Sequence, residues 1–278
     1  MGDQQIKVSE CFFSLQGEGL YIGTPSLFIR TFGCNCTCSQ YAMPRGVDST
    51  ERFEVDPAKY TKYEDLPLVS TGCDSYPSWD IRFKHLSPLL TLDEIVARSI
   101  ALLPNNRFNQ NKHLILTGGE PLLGWQKLYP QLFDLFLPHG LTHITFETNG
   151  TKKLVPELIE YLDHSPLDIT FSISSKLPSS GESWEKAIRP EIVKDYVMYD
   201  NAYFKWVISN KEDIEDALRA VDAYAKYKIN IPVYLMPAGG TSLHYDENKK
   251  WVAELAKQYG FRYSSRLQVD LWKNVWNS

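Results

Sequence analysis

The sequence predicts an α/β fold in which parallel strands and covering helices form a complete or partial β/α barrel. The first observation behind this prediction is that, from residue 92 onward, extended apolar stretches alternate with helical patterns, and Gly, Pro, Asn or Asp marks each transition. The second is that the strand candidates number six, which is already most of a barrel. An open doubly wound sheet is the alternative arrangement.

The predicted strands are short apolar segments bounded by turn residues. They cover residues 26–33, 113–119, 143–150, 168–174, 203–209 and 231–237. The predicted helices, whose apolar residues recur at helical spacing, cover residues 92–103, 122–137, 154–164, 211–228 and 246–259. Because helical crossovers make the strands parallel, all their carboxyl ends lie at one end of the barrel, and the site is expected there.

Residues 39–72 interrupt this alternation. They are rich in charge, Pro and Tyr and show little apolar periodicity, which is typical of an insertion or a lid. No repeat, low-complexity tract or interdomain linker is visible in the sequence. Residues 1–278 are therefore predicted to form a single domain with an insertion at about residues 39–72.

Composition narrows the classes of function. The chain has 278 residues, 43% of them hydrophobic, and its 29 Lys and Arg against 34 Asp and Glu give a net charge of −5. A negative balance argues against a protein that mainly binds nucleic acid phosphates, so a small-molecule substrate is expected. No apolar run reaches the roughly 18 to 20 residues of a membrane span, and the first residues lack a signal peptide's apolar region. We expect a cytoplasmic protein with no membrane partner.

Five cysteines are distributed unevenly. Cys11 stands alone, Cys34, Cys36 and Cys38 are crowded together, and Cys73 follows later. In a reducing compartment such crowding indicates thiolate ligands to a soft metal or a cluster rather than disulfides. Zinc is the alternative, although the paired C-x-x-C spacing of four-cysteine zinc sites is absent. Cys11, beside two phenylalanines, is assigned to packing.

Unusual motifs follow four of the predicted strands. GCNCTC follows the first strand, TGGEP the second, ETNGT the third and SSKLPSSG the fourth. Because the carboxyl ends of parallel strands meet at one edge, these motifs are expected to form one site.

Several of these segments together resemble the radical S-adenosylmethionine (SAM) enzymes and, within them, the 7-carboxy-7-deazaguanine synthase family. The most specific segment is FFSLQGEGLYIGTPSLFIRTFGCN (12–35), which is similar to the start of that family. TGGEP (117–121), ETNGT (147–151) and the S-x-K segment at 174–176 are similar to its SAM-binding elements. The resemblance spans nearly the whole chain and implies a radical SAM-type barrel.

The cluster motif departs from the superfamily pattern C-x3-C-x2-C. Cys34 and Cys38 keep the first spacing, but Tyr41 occupies the third position. Cys73 begins CDSYPSW, which resembles the family segment that follows the cluster loop, so the insertion would separate the second and third ligands. The resemblance implies a [4Fe–4S] cluster on Cys34, Cys38 and Cys73, with Cys34, Cys36 and Cys73 as the alternative set.

The resemblance also implies where SAM binds. Glycines would let the backbone approach its methionine end, a strand end would face its adenosyl part, and a lysine would hold its carboxylate. The residues assigned to SAM are Gly118, Gly119, Glu120, Glu147, Thr148, Asn149, Ser174 and Lys176.

The implied substrate is 6-carboxy-5,6,7,8-tetrahydropterin, and the implied reaction is hydrogen abstraction at C6, ring contraction and loss of ammonia. The residues assigned to substrate are Leu15, Gln16, Gly17, Glu18, Gly19 and Arg30, with Gln268 and Asp270 as weaker candidates. Ser75 would place Mg2+ against the substrate carboxylate.

The family further implies an external reductant such as flavodoxin or ferredoxin, a homodimer, and a product for queuosine or modified DNA bases. A glycyl-radical activase and a non-catalytic zinc-binding barrel protein are the alternative functions.

Overall fold

One mostly parallel sheet forms the body of the protein. The computed structural model describes residues 4–109, 111–199 and 201–278. In this part of the chain the sheet has nine strands, in the spatial order β3, β1, β2, β4, β5, β6, β7, β8, β9. The strands are β1 (Gln5–Leu15), β2 (Pro25–Thr31), β3 (Leu89–Thr91), β4 (His113–Gly118), β5 (His143–Thr148), β6 (Asp168–Ile173), β7 (Asn201–Ile208), β8 (Val233–Pro237) and β9 (Arg262–Tyr263).

The parallel strands confirm the predicted fold class. β2 and β4 to β9 pair in parallel, and all six predicted strands are present with small shifts at their ends. The sheet is not closed, so the partial barrel forms rather than the complete one. At one edge β1 runs antiparallel to both β2 and β3, and at the other edge β9 has only two residues.

The five predicted helices are also present. The helices are α1 (Glu51–Glu54), α2 (Leu92–Leu102), α3 (Tyr129–Phe136), α4 (Pro156–His164), α5 (Trp184–Ala187), α6 (Pro190–Tyr196), α7 (Asp213–Ala225), α8 (Ser242–Tyr259) and α9 (Leu267–Trp272). A capping box between Thr91 and Glu94 begins α2. The helix expected from residue 122 begins only at Tyr129, where Pro130 suits the first turn. The short helices α1, α5, α6 and α9 were not predicted.

Alternation along the strands separates the helix-covered core from the inner face of the curved sheet. Leu114 and Leu116 of β4 belong to the large core under the helices, whereas Ile115 packs on the opposite face with Phe12 and Phe28. The rings of Phe12 and Phe28 stack with centroids 4.7 Å apart. Since successive side chains point to opposite faces, the polar residues two positions further along β2 and β4 lie on this inner face too.

The predicted insertion folds against neighbouring segments. Its apolar residues form a second core with the segment that follows it and with the C-terminal Trp276; the fully or nearly buried members are Val55, Tyr63, Leu66, Val69, Tyr76, Phe83 and Leu86. The Trp276 indole nitrogen donates to the Leu66 carbonyl at 2.7 Å. The insertion and the C-terminal segment therefore cover the same end of the sheet. Within the residues that the structure describes, no helix is both long enough and apolar enough to cross a bilayer.

Candidate active site

A cavity of about 250 Å³ lies at the carboxyl ends of the parallel strands, where the sequence motifs predict a site. It is lined by most of the residues assigned from sequence: Leu15, Gln16, Gly17, Glu18, Arg30, Cys34, Cys38, Cys73, Ser75, Gly118, Gly119, Glu147, Thr148, Asn149, Ser174 and Lys176. The cavity wall also includes Cys36 and the insertion residues Tyr41 and Gly72. Cys11 packs against the helix-covered core instead.

Two of the assigned residues, Gly19 and Glu120, do not line the cavity. Glu120 is fully buried, and its carboxylate accepts hydrogen bonds from the Thr148 hydroxyl at 2.8 Å and from the Asn149 and Leu122 backbone nitrogens at 2.6 and 3.0 Å. Burial raises the pKa of Glu120 to about 7, although these hydrogen bonds oppose the shift. Glu120 therefore holds the loops at the strand ends in place without lining the cavity itself.

The thiols occupy one side of the cavity. The Cys36 thiol lies between those of Cys34 and Cys38, whose hydrogen bonds lower the pKa of Cys36. The side-chain amide nitrogen of Asn149 lies 3.6 Å from the Cys36 sulfur and 4.0 Å from the Cys34 sulfur. The Cys73 sulfur accepts a hydrogen bond from the Trp79 indole at 3.3 Å. Cys34, Cys36, Cys38 and Cys73 thus all line the same cavity.

This donor set fits an iron–sulfur cluster. Thiolates are the ligands such clusters use, and a cluster binds them through different iron atoms rather than at one point. In the described part of the chain, no three His, Cys, Asp or Glu side chains are arranged around a single ion. Lys176 supplies a compensating charge: although burial opposes it, the thiols of Cys38, Cys36 and the other two cysteines raise the pKa of Lys176.

Gly119 explains how the second motif approaches the cysteine loop. A Cβ atom at Gly119 would clash with the Gly33 carbonyl oxygen and lie 2.7 Å from the Cys34 Cβ. The Glu120 backbone nitrogen also donates to the Gly33 carbonyl at 2.8 Å. Only glycine allows TGGEP to pack this closely against the loop that carries Cys34.

Three charged side chains of the cavity wall, those of Glu18, Glu147 and Lys205, form a compact network. The Lys205 ammonium nitrogen lies 2.7 Å from a Glu18 carboxylate oxygen and 3.3 Å from a Glu147 oxygen. Gln16 donates from its side-chain amide to the same Glu147 oxygen at 3.1 Å. Although burial opposes it, the charges of Lys205 and Arg266 lower the pKa of Glu18 to about 2. The network thus holds buried charges of both signs beside the cavity.

The C-terminal segment completes this side of the site. Arg266 contacts Glu18 at 3.2 Å and Asp74 at 2.5 Å, and Gln268 donates to Glu18 at 2.7 Å. The Leu267 backbone nitrogen donates to the Gly17 carbonyl at 2.9 Å. Gln268 therefore joins the site, whereas Asp270, the other weaker candidate, accepts from Tyr245 and Lys249 instead.

Neither Lys205 nor Arg266 is among the site residues predicted from sequence. Lys205 lies inside the predicted strand YFKWVIS, and a charge in an otherwise apolar central strand is the signal that could have identified it. Arg266 gives no comparable signal, because its role depends on contacts with Glu18 and Asp74, which are distant in sequence.

Arg30 combines a structural contact with a position on the cavity wall. Its Nε lies 2.7 Å from a Glu10 carboxylate oxygen, and its Nη1 donates to the Ser75 hydroxyl at 3.3 Å. The Ser75 hydroxyl in turn donates to Asp74 at 3.3 Å. Glu10 is the carboxylate partner that a buried strand arginine requires, and it fixes the guanidinium while the other end faces the cavity.

The charge network predicts a pH-dependent stability. A lowered folded-state pKa means that Glu18 stabilises the fold above its ordinary pKa of 4.5, and that this contribution is lost as the pH falls toward about 2. We expect Glu18→Gln to lower the free energy of unfolding at about pH 6, and the difference from wild type to shrink by about pH 3. Urea unfolding of both proteins at both pH values measures the difference in the free energy of unfolding. A difference that does not change with pH contradicts the ion-pair explanation.

Comparison with known proteins identifies the family. No family model matches the chain. The chain is 30% identical to the 7-carboxy-7-deazaguanine synthase of Halobacterium salinarum, in an alignment that covers 97% of this chain and 91% of that protein. The chain belongs to the 7-carboxy-7-deazaguanine synthase family. The synthase of Pyrobaculum aerophilum is 28% identical, over 98% of this chain and 96% of that protein.

The fold of this chain agrees with its family. The crystal structure of QueE from Escherichia coli superposes with a TM-score of 0.55, covering 95% of this chain and 94% of that chain at 20% identity. The sequence identities to the synthases confirm the family predicted from residues 12–35 and the strand-end motifs, and neither the activase nor the zinc-binding barrel protein is retained. Membership of this radical SAM family implies a [4Fe–4S] cluster and SAM.

Proposed function

We propose that this chain converts 6-carboxy-5,6,7,8-tetrahydropterin to 7-carboxy-7-deazaguanine with release of ammonia. Product and ammonia together contain all the atoms of the substrate, so the overall conversion needs no external oxidant. The observation that carries the proposal is the cavity itself, whose wall includes four cysteines and a buried network of Glu18, Lys205 and Glu147. The cysteines suit a cluster, and the charged network suits a polar bicyclic ligand.

In this proposal Cys34, Cys38 and Cys73 hold the cluster. When bound, the cluster and SAM supply hydrogen-atom abstraction, which requires a site closed to water. The insertion and the C-terminal segment provide this closure over the cavity. Gly118, Gly119, Thr148, Asn149, Ser174 and Lys176 would contact SAM, and Glu120 would keep these loops in place.

The pterin would bind against the charge network. Gln16 and Glu18 offer acceptors for its amino and ring N–H groups, and the charge of Lys205 helps to lower the pKa of Glu18. Glu147, assigned to SAM from sequence, would join them as an acceptor because it contacts Gln16 and Lys205. Arg30 would hold the substrate carboxylate through its free edge, since Glu10 already fixes its orientation.

Mg2+ would bind beside Arg30. The Ser75 hydroxyl and the Asp74 carboxylate are oxygen donors of the kind that Mg2+ prefers, and they are hydrogen-bonded to one another at 3.3 Å. The substrate carboxylate would supply a further oxygen.

The same proposal includes a single domain over residues 1–278, a cytoplasmic location, a homodimer and a reductant of the flavodoxin or ferredoxin type. It also includes a product used for 7-deazapurine synthesis.

Anaerobic turnover tests the proposal. Protein reconstituted with iron and sulfide, then supplied with SAM, a reductant, Mg2+ and the carboxytetrahydropterin, is expected to form carboxydeazaguanine and ammonia in equal amounts. Mass detection of the product and an enzymatic ammonia assay measure both. Omission of Mg2+ tests the Ser75 site separately. SAM cleavage without any pterin product, from protein with a complete cluster, would show that another substrate is used.

A further inference from the structure

Glu182 reaches the cysteine loop from a different part of the chain. It follows β6 and a short turn at Pro178–Ser180, and it is buried, with a side chain only 4% exposed. One of its carboxylate oxygens accepts hydrogen bonds from the Thr37 backbone nitrogen at 2.5 Å, the Cys38 backbone nitrogen at 3.2 Å and the Thr37 hydroxyl at 3.2 Å. A single buried oxygen thus binds two consecutive amides of the loop between Cys34 and Cys38.

The backbone of Cys38 requires such support. Its φ of 47° lies in the left-handed region, where a residue other than glycine is strained. In this conformation the amides of residues 37 and 38 point in the same direction, toward the Glu182 oxygen. The other Glu182 oxygen pairs with Lys186, which fixes the carboxylate from the outer side. The same turn also anchors the next segment, because the Gln40 nitrogen donates to the Ser180 carbonyl at 3.2 Å.

We propose that Glu182 is a positioning residue for the cluster, which holds Cys38 in its left-handed conformation and sets the local charge beside the bound iron. This inference rests on the proposed cluster at Cys34, Cys38 and Cys73. Two effects are separate. The hydrogen bonds fix the loop, and the negative charge favours the oxidised cluster over the reduced one, because reduction adds negative charge nearby. Groups behind metal ligands influence affinity by about 10- to 100-fold when they are removed.

Two substitutions separate the effects. Glu182→Ala removes both the hydrogen bonds and the charge, whereas Glu182→Gln keeps an acceptor oxygen for the loop amides but removes the charge and, with it, the ion pair with Lys186. Glu185 is a matched control, since it is an exposed glutamate in the adjacent helix α5. Glu185→Ala and Glu185→Gln make the same changes of composition without touching the loop.

The readouts are iron release to a chelator and the midpoint potential of the anaerobically reconstituted proteins. We expect Glu182→Ala to lose iron about 10-fold faster than wild type or more. Glu182→Gln is expected to retain its iron better and to have a higher midpoint potential than wild type. Both Glu185 variants should match wild type.

Iron release and potential that are unchanged in both Glu182 variants would overturn the inference. If Glu182→Ala does not fold, the midpoint potential of the Glu182→Gln variant still tests the inference, because an unchanged potential contradicts the charge effect. A wild-type protein that takes up no cluster would overturn the proposed function itself. That outcome differs from a stable cluster whose iron release and potential do not change when Glu182 is substituted.

Discussion

Alanine substitution of Cys34, Cys38 or Cys73 is expected to abolish turnover and remove much of the bound iron, whereas Cys36→Ala should retain both. Cys34 and Cys38 keep the three-residue spacing of the superfamily, and Cys73 is followed by Asp74 and Ser75 beside Arg30. Loss of one thiolate from a three-cysteine cluster leaves a second iron atom without a protein ligand. Iron and sulfide counts, the visible spectrum and product formation measure the outcome.

Cys36 is the cysteine that is hardest to separate from the proposed cluster ligands. Its thiol contacts those of Cys34 and Cys38, and Cys36 is buried like Cys38, whereas Cys34 is half-buried, so neither proximity nor burial separates Cys36 from Cys38 as a candidate ligand. Cys36→Ser keeps a polar group of similar size and distinguishes loss of a ligand from loss of packing. Retention of cluster and activity in Cys38→Ala, with loss of both in Cys36→Ala, would assign the alternative set of Cys34, Cys36 and Cys73.

Arg30→Lys is expected to weaken substrate binding about 10-fold or more while SAM binding persists, since hydrogen bonds to charged groups contribute about 1.5 to 3 kcal/mol. Lysine keeps the positive charge but loses the planar fork that can contact Glu10 and a ligand carboxylate at the same time. Equilibrium binding of the carboxytetrahydropterin and of SAM to the reconstituted protein measures the two affinities separately.

Thermal unfolding of the same variant provides the necessary comparison. Arg30 also contacts buried Glu10, so the substitution affects the fold as well as the ligand. Glu10→Gln disturbs that contact while leaving Arg30 in place, and it should change stability more than substrate affinity. Equal weakening of SAM and substrate binding by Arg30→Lys would assign Arg30 to folding rather than to recognition.

The parallel strands and the position of the site could be predicted from sequence. Strands such as β4 are buried on both faces and read as continuous apolar segments, and the motifs at their ends necessarily meet at one edge. The antiparallel β1 could not be placed in this way, because only a short turn at Gly19–Tyr21, and no helical crossover, connects it to β2, so it lies outside the alternation of strands and helices.

Side-chain direction and distant contacts account for the other differences. Glu120 belongs to the predicted motif, but its carboxylate turns inward to Thr148 and Asn149, a choice that the motif does not encode. The packing of the insertion depends on Trp276, which lies about 210 residues from its partner Leu66. Such contacts are set by the whole fold rather than by local pattern.

The central claim is that one cavity holds both the cluster and the pterin. The most direct measurement is a crystal structure of the anaerobically reconstituted protein with SAM and the carboxytetrahydropterin, recorded with anomalous data at the iron edge. We predict iron density bonded to the sulfurs of Cys34, Cys38 and Cys73, and the pterin between SAM and the network of Glu18 and Lys205. Iron bound away from these cysteines, or a pterin bound outside the cavity, would contradict the claim.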